Sequence, residues 1–253
     1  MALATLVQQN EVSDVEWATR CDLAALYRIF DNMRMTDLVY THLSARVPDD
    51  PDCFLMNQYG EMFDEVTASS LVKMDLDGNM KGKQGAFNSA GFTIHSACYL
   101  ARQNVNAVIH LHTKASIAVA SVKNGLIPMS QHSLYVINDL AYHDYEGVAL
   151  EEGERARLVA DLGDANFFML RNHGLLTVGP TVADAFLEMY LFEAACTVQI
   201  RALSGGGETI HIPQEILAGA QRMQQQVTHS QGAALVWPGL LRRLDRENPG
   251  YAD

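Results

Sequence analysis

The stretch "HSACYLARQNVNAVIHLHT", residues 95–113, changes its hydrophobic period halfway along. Around its first half, apolar residues recur at positions i, i+3, i+4 and i+7, which predicts a helix that begins near Ser89, with Asn88 or Ser89 as its N-cap. The second half is rich in β-branched residues and predicts a strand. Because successive strand residues point to opposite faces, alternation divides this strand into two sets. The sets are Val108, His110 and His112 on one face and Ala107, Ile109 and Leu111 on the other.

Helices and short strands continue to alternate on both sides of this stretch. Apolar periodicity predicts a helix over 16–34, a short helix capped by Gly125, and a long helix from Thr181 to about Leu203. Short strands are predicted at four places. They are 38–47, closed by an acidic turn "PDDPD"; 53–60; 70–80, with a hairpin signal in Asp77-Gly78-Asn79; and 166–179, where "RNHG" separates two strands. This mixture predicts one layered α/β or α+β domain.

The clearest linker is "SGGGE", residues 204–208. It divides the chain into a main domain, residues 1–205, and a C-terminal helical extension and tail, residues 206–253. The extension holds a Gln-rich helical stretch near 216–227. Its tail carries an apolar stripe that can dock on the main domain. The stripe consists of Trp237, Leu240, Leu241 and Leu244.

The composition argues against several classes of protein. Of the 253 residues, 48% are hydrophobic and 19% are charged, as in an ordinary folded globular chain. The net charge of −12 argues against a nucleic-acid partner, because phosphate binding requires clustered Lys and Arg. No stretch approaches the ~18 apolar residues of a membrane span. The N-terminus also lacks the basic and apolar regions of a signal peptide. We therefore expect a cytoplasmic protein with no membrane partner.

Three histidines stand where a metal site can form. The imidazoles of His110 and His112 are close enough to bind one cation, although two polar residues on a strand face explain the H-x-H pattern as well. His173 interrupts two apolar runs and precedes Gly174, which lets the backbone turn tightly; an ordinary strand end explains it too. Three histidines with one open position are typical of a catalytic divalent-metal site, whereas structural zinc sites have four protein ligands.

The stretch at 95–113, followed later by "FFMLRNHGLLTVG" at 167–179, closely resembles the class II aldolase/adducin family, and the resemblance extends over about residues 15–205. It implies a three-layer αβα domain around a mostly antiparallel central sheet. It also implies a homo-oligomer, a tetramer or a dimer. In the family's enzymes a divalent metal, usually zinc, is bound by the histidines that match His110, His112 and His173. Three imidazoles also suit manganese, iron, cobalt or nickel.

The sequence departs from the catalytic members of this family at two places. Their helix before H-x-H carries an acidic residue, in a motif like P-S-S-E, which takes a proton from the substrate carbon. Here the motif reads "NSAGFTIH", and Gly91 stands at the acidic position. The family's phosphate-binding G-N-x-S loop reads "THLS", so that His42 replaces asparagine. This substitution disfavours a sugar phosphate, and His42, Ser44 and Ser89 become candidates for binding a carboxylate instead.

Three other residues are candidates for the missing proton transfer. His95 shares the helix face of Gly91, and Tyr142 and His143 fall where the aldolases place a loop near their catalytic tyrosine. Each also has a structural explanation: a core hydrogen bond for His95 and simple packing for Tyr142.

Two functions are consistent with this pattern. The first is a metal-dependent enzyme that performs aldol cleavage or related lyase chemistry on a small hydroxy-carbonyl metabolite. The second is a non-catalytic domain, similar to the adducin head, that oligomerises or binds a partner and keeps the metal site as a relic. Gly91 favours the second function. Adducin's basic tail has no counterpart in this acidic chain, so the resemblance gives a cytoskeletal role little support.

Overall fold

The protein is described here from a computed structural model, which describes residues 6–82, 85–147, 152–224, 226 and 232–253. Within these residues, eight strands form one sheet in the order β4-β3-β2-β1-β5-β8-β7-β6. Every neighbouring pair is antiparallel except β6 and β7. The strands are β1 His42–Val47, β2 Asp50–Met56, β3 Val72–Asp75, β4 Met80–Lys81, β5 Ala107–Leu111, β6 Leu140–His143, β7 Phe167–Leu170 and β8 Gly174–Gly179.

Helices cover both faces of this sheet. On one face, α2 and α5 pack over a core that includes Phe54, Val108 and Leu176. On the other face, a larger core joins the sheet to α1, α3, α6 and α8. The helices are α1 Asp14–Asn32, α2 Ser89–Ala101, α3 Lys114–Ala120, α4 Gln131–Val136, α5 Glu152–Leu162, α6 Val182–Ser204, α7 Gln214–Gln224 and α8 Ala233–Glu247. The expected three-layer αβα arrangement around a mostly antiparallel sheet is confirmed.

Strand β5 lies near the centre of the sheet and has the predicted alternation. Val108 packs in the core under α2 and α5, whereas Ala107, Ile109 and Leu111 pack in the core of the opposite face. His110 is fully buried and pairs with His42 of β1 across the ladder. The strand ends at Leu111, so that His112 lies just beyond it. The H-x-H pair therefore stands at the end of a central strand.

Of the predicted boundaries that are wrong, three lie at turns. The first strand begins at His42 rather than at 38, because Leu38 has a φ of +50° and the Tyr40 amide donates to the Asp37 carbonyl in a turn. Only Pro48 and Asp49 form the turn after it, and the rest of the acidic stretch from Asp50 onward already belongs to β2.

The short helix is also shorter than predicted. It ends at Ala120, with Ser121 as its C-cap, and Gly125 instead forms a separate turn with a φ of +59°. Both ends of α6 agree with expectation, since Thr181 caps its start and Gly205 follows its end. The predicted stretch near 216–227 corresponds to α7, Gln214–Gln224, and its last residue lies outside the described part of the chain.

The C-terminal tail is fastened to the main domain. Trp237 and Leu244 are buried in the core that contains α1 and α6, and Leu240 and Leu241 pack against it. The Trp237 Nε1 donates to Asp22 Oδ1 at 3.1 Å. The predicted apolar stripe is therefore confirmed. Among the described residues, no helix has the length and apolar character that crossing a membrane requires.

Candidate metal centre

Three imidazoles meet at the end of β5. The Nε2 atom of His110 lies 2.9 Å from Nε2 of His112 and 3.3 Å from Nε2 of His173. Nitrogens bound to one zinc ion at ~2.0–2.1 Å in tetrahedral geometry lie about 3.3 Å apart. The three nitrogens therefore lie close to the positions that a shared ion requires.

His173 reaches this point because the turn between β7 and β8 is tight. The His173 amide donates to the Leu170 carbonyl, and Asn172 adopts a left-handed conformation with a φ of +56°. The sequence suggested that Gly174 allows a tight turn, but the structure shows a different need for glycine there. A Cβ at Gly174 would lie 2.4 Å from the carbonyl oxygen of Leu111, so glycine allows β8 to approach β5 closely.

Acceptors on the far side of two rings fix their orientation. The Nδ1 atom of His110 lies 2.9 Å from the carbonyl oxygen of Leu175, which can only accept, so Nδ1 carries the proton. The Nδ1 atom of His112 lies 3.2 Å from Oδ2 of Asp37. Each ring then directs an unprotonated Nε2 into the cluster, as metal-bound histidines usually do.

The electrostatics of the cluster keep its imidazoles neutral. Burial, together with the neighbouring histidines, holds the pKa of His110 well below its usual value. Burial and the proximity of His112 lower the pKa of His173 to about 4. Burial also lowers the pKa of His112, against the opposing effect of Asp37. Neutral imidazoles are the form that binds metals, so the donor set fits a divalent cation.

His42 fills the space beside Gly91. A Cβ at Gly91 would lie 2.7–2.9 Å from three atoms of the His42 ring, which is too close for real contacts. The His42 ring also lies 5.0 Å, centroid to centroid, from that of His110. The glycine in α2 and the histidine in β1 are therefore sterically matched, and an imidazole occupies the region where a side chain from position 91 would lie.

Behind His42, a buried hydrogen-bonded chain continues away from the cluster. Nε2 of His95 lies 2.8 Å from Nδ1 of His42, and Nδ1 of His95 contacts the Ser44 hydroxyl at 2.5 Å. The Ser44 hydroxyl also lies 2.7 Å from the Tyr99 hydroxyl. Burial lowers the pKa of His95 to about 3. Both nitrogens of His95 are thus engaged, and the core hydrogen bond considered for it from the sequence is present.

The structure separates the three residues considered for substrate binding. His42 lies next to the three-histidine cluster, whereas Ser44 is fully buried and its hydroxyl contacts His95 and Tyr99. Ser89 is exposed in the first turn of α2. The N-cap of α2 is Asn88, whose side chain accepts from the amides of Ala90 and Gly91.

Tyr142 and His143 point to opposite faces of β6. Tyr142 packs with the core on the α6 side, where its hydroxyl accepts from the Leu126 amide at 3.1 Å. The guanidinium of Arg171 lies 4.1 Å above the Tyr142 ring. His143 faces the other way, and it lines a small pocket together with His173. The structure therefore brings His143 towards the cluster and leaves Tyr142 on the opposite face.

Two residues near the cluster, Asp37 and Tyr145, were not predicted from the sequence. Asp37 lies in the turn before β1 and orients His112, and no sequence signal marks it because the contact joins residues far apart in the chain. Tyr145 is 54% exposed, and its ring lies 6.4 Å from that of His173. A tyrosine three residues after Tyr142, beyond the end of β6, was the available signal for it.

The fold and the cluster define a class: three-layer αβα proteins with three convergent histidines at the end of a central strand. The sequence profile described as "Class II Aldolase and Adducin N-terminal domain" matches residues 21–200. The chain belongs to the class II aldolase and adducin family.

Three relatives show the range of this family. The crystal structure of an aldolase II superfamily protein from Pseudomonas syringae is similar with a TM-score of 0.92 and 45% identity, covering 97% of this chain and 99% of that one. An L-fuculose 1-phosphate aldolase from Glaciozyma antarctica is similar with a TM-score of 0.80 and 28% identity, covering 92% of both chains. Alpha-adducin of Mus musculus is 41% identical over 192 residues, which are 74% of this chain and 26% of the adducin.

Proposed function

We propose that the protein is a metal-dependent enzyme that performs aldol cleavage or related lyase chemistry on a small hydroxy-carbonyl compound. The observation that carries this proposal is the convergence of three Nε2 atoms, from His110, His112 and His173, with acceptors behind the first two rings. A divalent cation bound there, most readily zinc, would act as a Lewis acid on a substrate carbonyl or hydroxyl.

The residues around the cluster have distinct roles in this proposal. Asp37 and the Leu175 carbonyl hold two of the ligand rings in place. His42, next to the cluster, contacts the substrate, and His95 positions His42 through the hydrogen bond between their rings. An imidazole at this place favours a carboxylate or hydroxyl group over a phosphate, since it replaces the open backbone amides that phosphate binding uses.

Because Gly91 has no carboxylate, another group must transfer the proton. Tyr142 lies on the wrong face of the sheet, and His95 is buried with both nitrogens engaged. Tyr145 is exposed beside His173, and a phenol hydroxyl can donate a proton to a leaving group. We assign the proton donor to Tyr145, and Tyr145→Phe should lower kcat while leaving the bound metal unchanged.

Metal analysis tests the centre itself. Each protein is dialysed against zinc and its bound metal is counted. His110→Ala and His173→Ala should each bind one equivalent of metal per chain less than wild type. His211→Ala, a change at an exposed histidine outside the cluster, should match wild type. Asp37→Ala should weaken zinc binding by about 10- to 100-fold, because it removes the acceptor behind His112. Equal metal content in wild type and His110→Ala would refute the centre.

Turnover tests the reaction. Zinc- or manganese-loaded protein is incubated with a panel of small hydroxy-carbonyl compounds, with and without carboxylate or phosphate groups, and aldehyde release is followed. Release should stop on chelation and in His110→Ala, and unphosphorylated compounds should be preferred. Silence across the panel by protein that retains its metal would contradict the enzymatic proposal.

A second function is favoured by one specific observation. The position of the family's acidic residue is not merely empty but filled by His42, so the chain has no room there for a carboxylate. This supports a non-catalytic domain that works through oligomerisation or partner binding, in keeping with its similarity to alpha-adducin. Bound metal with no turnover, together with unchanged self-association in His110→Ala, is the result expected of this alternative.

A further inference from the structure

His143 has the surroundings of a metal ligand without belonging to the three-histidine cluster. It is 5% exposed, and its Nδ1 lies 2.7 Å from Oδ2 of Asp161. A carboxylate accepts at this position, so Nδ1 carries a proton and Nε2 is the nitrogen that can bind an ion. That Nε2 is buried and has no hydrogen-bond partner among the described residues. A buried ring nitrogen without a partner is costly, and a bound ion or water is its usual explanation.

Helix α5 places two carboxylates on either side of the His143 ring. Glu154 and Asp161 are seven residues apart and therefore lie on one face of the helix, two turns from each other. Asp161 contacts Nδ1, and Oε1 of Glu154 lies 3.9 Å from Nε2. That distance is too long for a hydrogen bond. Two ligands bound at ~2.0–2.2 Å can be up to about 4.4 Å apart, so one ion fits between them.

Glu146 completes a potential ligand set. One ligand atom from each of His143, Glu146 and Glu154 lies within 4.8 Å of the other two. Glu146 is exposed and ion-paired with Arg157, so its side chain can adjust by the few tenths of an ångström that binding requires. These residues line a small cavity of about 10 Å³, which is close to the space that one water molecule or ion occupies.

The local charge also favours a cation. The carboxylates of Glu146, Glu154 and Asp161 surround a His143 ring that is neutral when its Nε2 is unprotonated. Arg157 contacts this group through Glu146. Carboxylates outnumber guanidinium groups among these four side chains, which suits a cation.

We propose that His143, Glu154 and Glu146 form a second divalent-cation site, separate from the three-histidine centre, with Asp161 holding the His143 ring. One imidazole nitrogen and two carboxylate oxygens suit zinc or manganese. The pocket is also lined by His173, so the two sites are neighbours at the same end of the sheet.

Metal counting after equilibrium dialysis tests this site with zinc and, separately, with manganese. Wild type should retain one equivalent per chain more than His143→Asn or Glu154→Gln, and His110→Ala should retain that second equivalent. Asp161→Ala, which keeps the ligands but removes the acceptor behind His143, should weaken the second equivalent by about 10- to 100-fold. The exposed His211→Ala variant is the surface control and should match wild type.

The outcomes separate this site from the three-histidine centre. Loss of metal in His110→Ala but not in His143→Asn or Glu154→Gln would overturn the second site and leave the first intact. Anomalous scattering from zinc-soaked crystals supplies a measurement on unmutated protein: a peak between His143 and Glu154 supports the site, and an ordered water there at saturating zinc overturns it.

Discussion

The pairing of Gly91 with His42 is the residue-scale feature that most distinguishes this chain. Neither residue alone reveals the relation, because Gly91 lies on α2 and His42 on β1, and only packing brings them together. The sequence showed a missing carboxylate; the structure shows that the vacated space is occupied. A side chain at position 91 would therefore conflict sterically with the His42 ring.

Gly91→Ala should reduce the free energy of unfolding by about 1–3 kcal/mol, because its Cβ would overlap the buried His42 ring. The cost should largely disappear in a His42→Asn background, in which the ring is absent. Gly219→Ala is the matched control, since Gly219 also lies in a helix but has nothing within 4 Å of its Cβ position. Chemical denaturation measures all four; equal costs of Gly91→Ala in both backgrounds would refute the steric coupling.

His95 makes stability depend on pH. Burial lowers its pKa from 6.5 to about 3, so below pH 6.5 the unfolded chain binds a proton that the native protein does not. Stability is therefore full above pH 6.5 and declines as the pH falls towards 3, by about 1.4 kcal/mol per pH unit for this group. In metal-free protein, His95→Gln should show a shallower decline between pH 6.5 and pH 4.5 in denaturant titrations. An unchanged slope would show that His95 is not the group responsible.

At the scale of elements, the alternation along β6 places His143, rather than Tyr142, on the side of the three-histidine cluster. Tyr142→Phe should cost about 0.5–1.5 kcal/mol of stability through the lost Leu126 hydrogen bond, and it should leave zinc content and kcat unchanged. Tyr145→Phe is its counterpart, with stability preserved and kcat reduced. Denaturation curves and turnover are measured on both variants. A reduced kcat in Tyr142→Phe with an unchanged kcat in Tyr145→Phe would show that the face assignment is wrong.

The predicted boundaries of elements were wrong where backbone geometry, rather than hydrophobic periodicity, sets the end of the element. The predicted first strand was too long because Leu38, Val39 and Tyr40 continue its pattern, but a turn with Leu38 in a left-handed conformation precedes the strand. Gly125 looked like a helix cap, yet its turn accommodates the Tyr142 ring, whose hydroxyl would lie 2.5 Å from a Cβ at that position. Both features depend on contacts that a local pattern does not contain.

At the scale of the whole molecule, the C-terminal tail shares the main core. Arg28 of α1 donates to the carbonyl of Pro249 and, at 3.1 Å, to the Asn248 side chain, while the Ser69 hydroxyl donates to the Asp253 backbone oxygen at 2.8 Å. The linker at 204–208 therefore separates α6 from a segment that returns to pack on the same face of the domain. We expect the tail to stabilise the main domain rather than to act as an independent unit.

Trp237→Ala should reduce the free energy of unfolding by about 3–5 kcal/mol, because it removes a large buried side chain from the shared core. Zinc content should not change, since α8 lies on the face of the sheet opposite to His110. Leu235→Ala, a change on the same helix at a residue that is 75% exposed, should stay within about 0.5 kcal/mol of wild type. Equal stability of the two variants would contradict the docking of the tail.

The sequence by itself determined the layered fold, the strand that carries His110 and the three histidines, because hydrophobic period and residue chemistry are local properties. Only the tertiary structure decided that Asp37 lies behind His112, that His42 fills the space beside Gly91, and that Tyr142 faces away from the cluster. These relations join residues that are distant in the chain, and they depend on strand register and on helix packing. The arrangement around His143 belongs to the same group, since α5 and β6 meet there only in the folded protein.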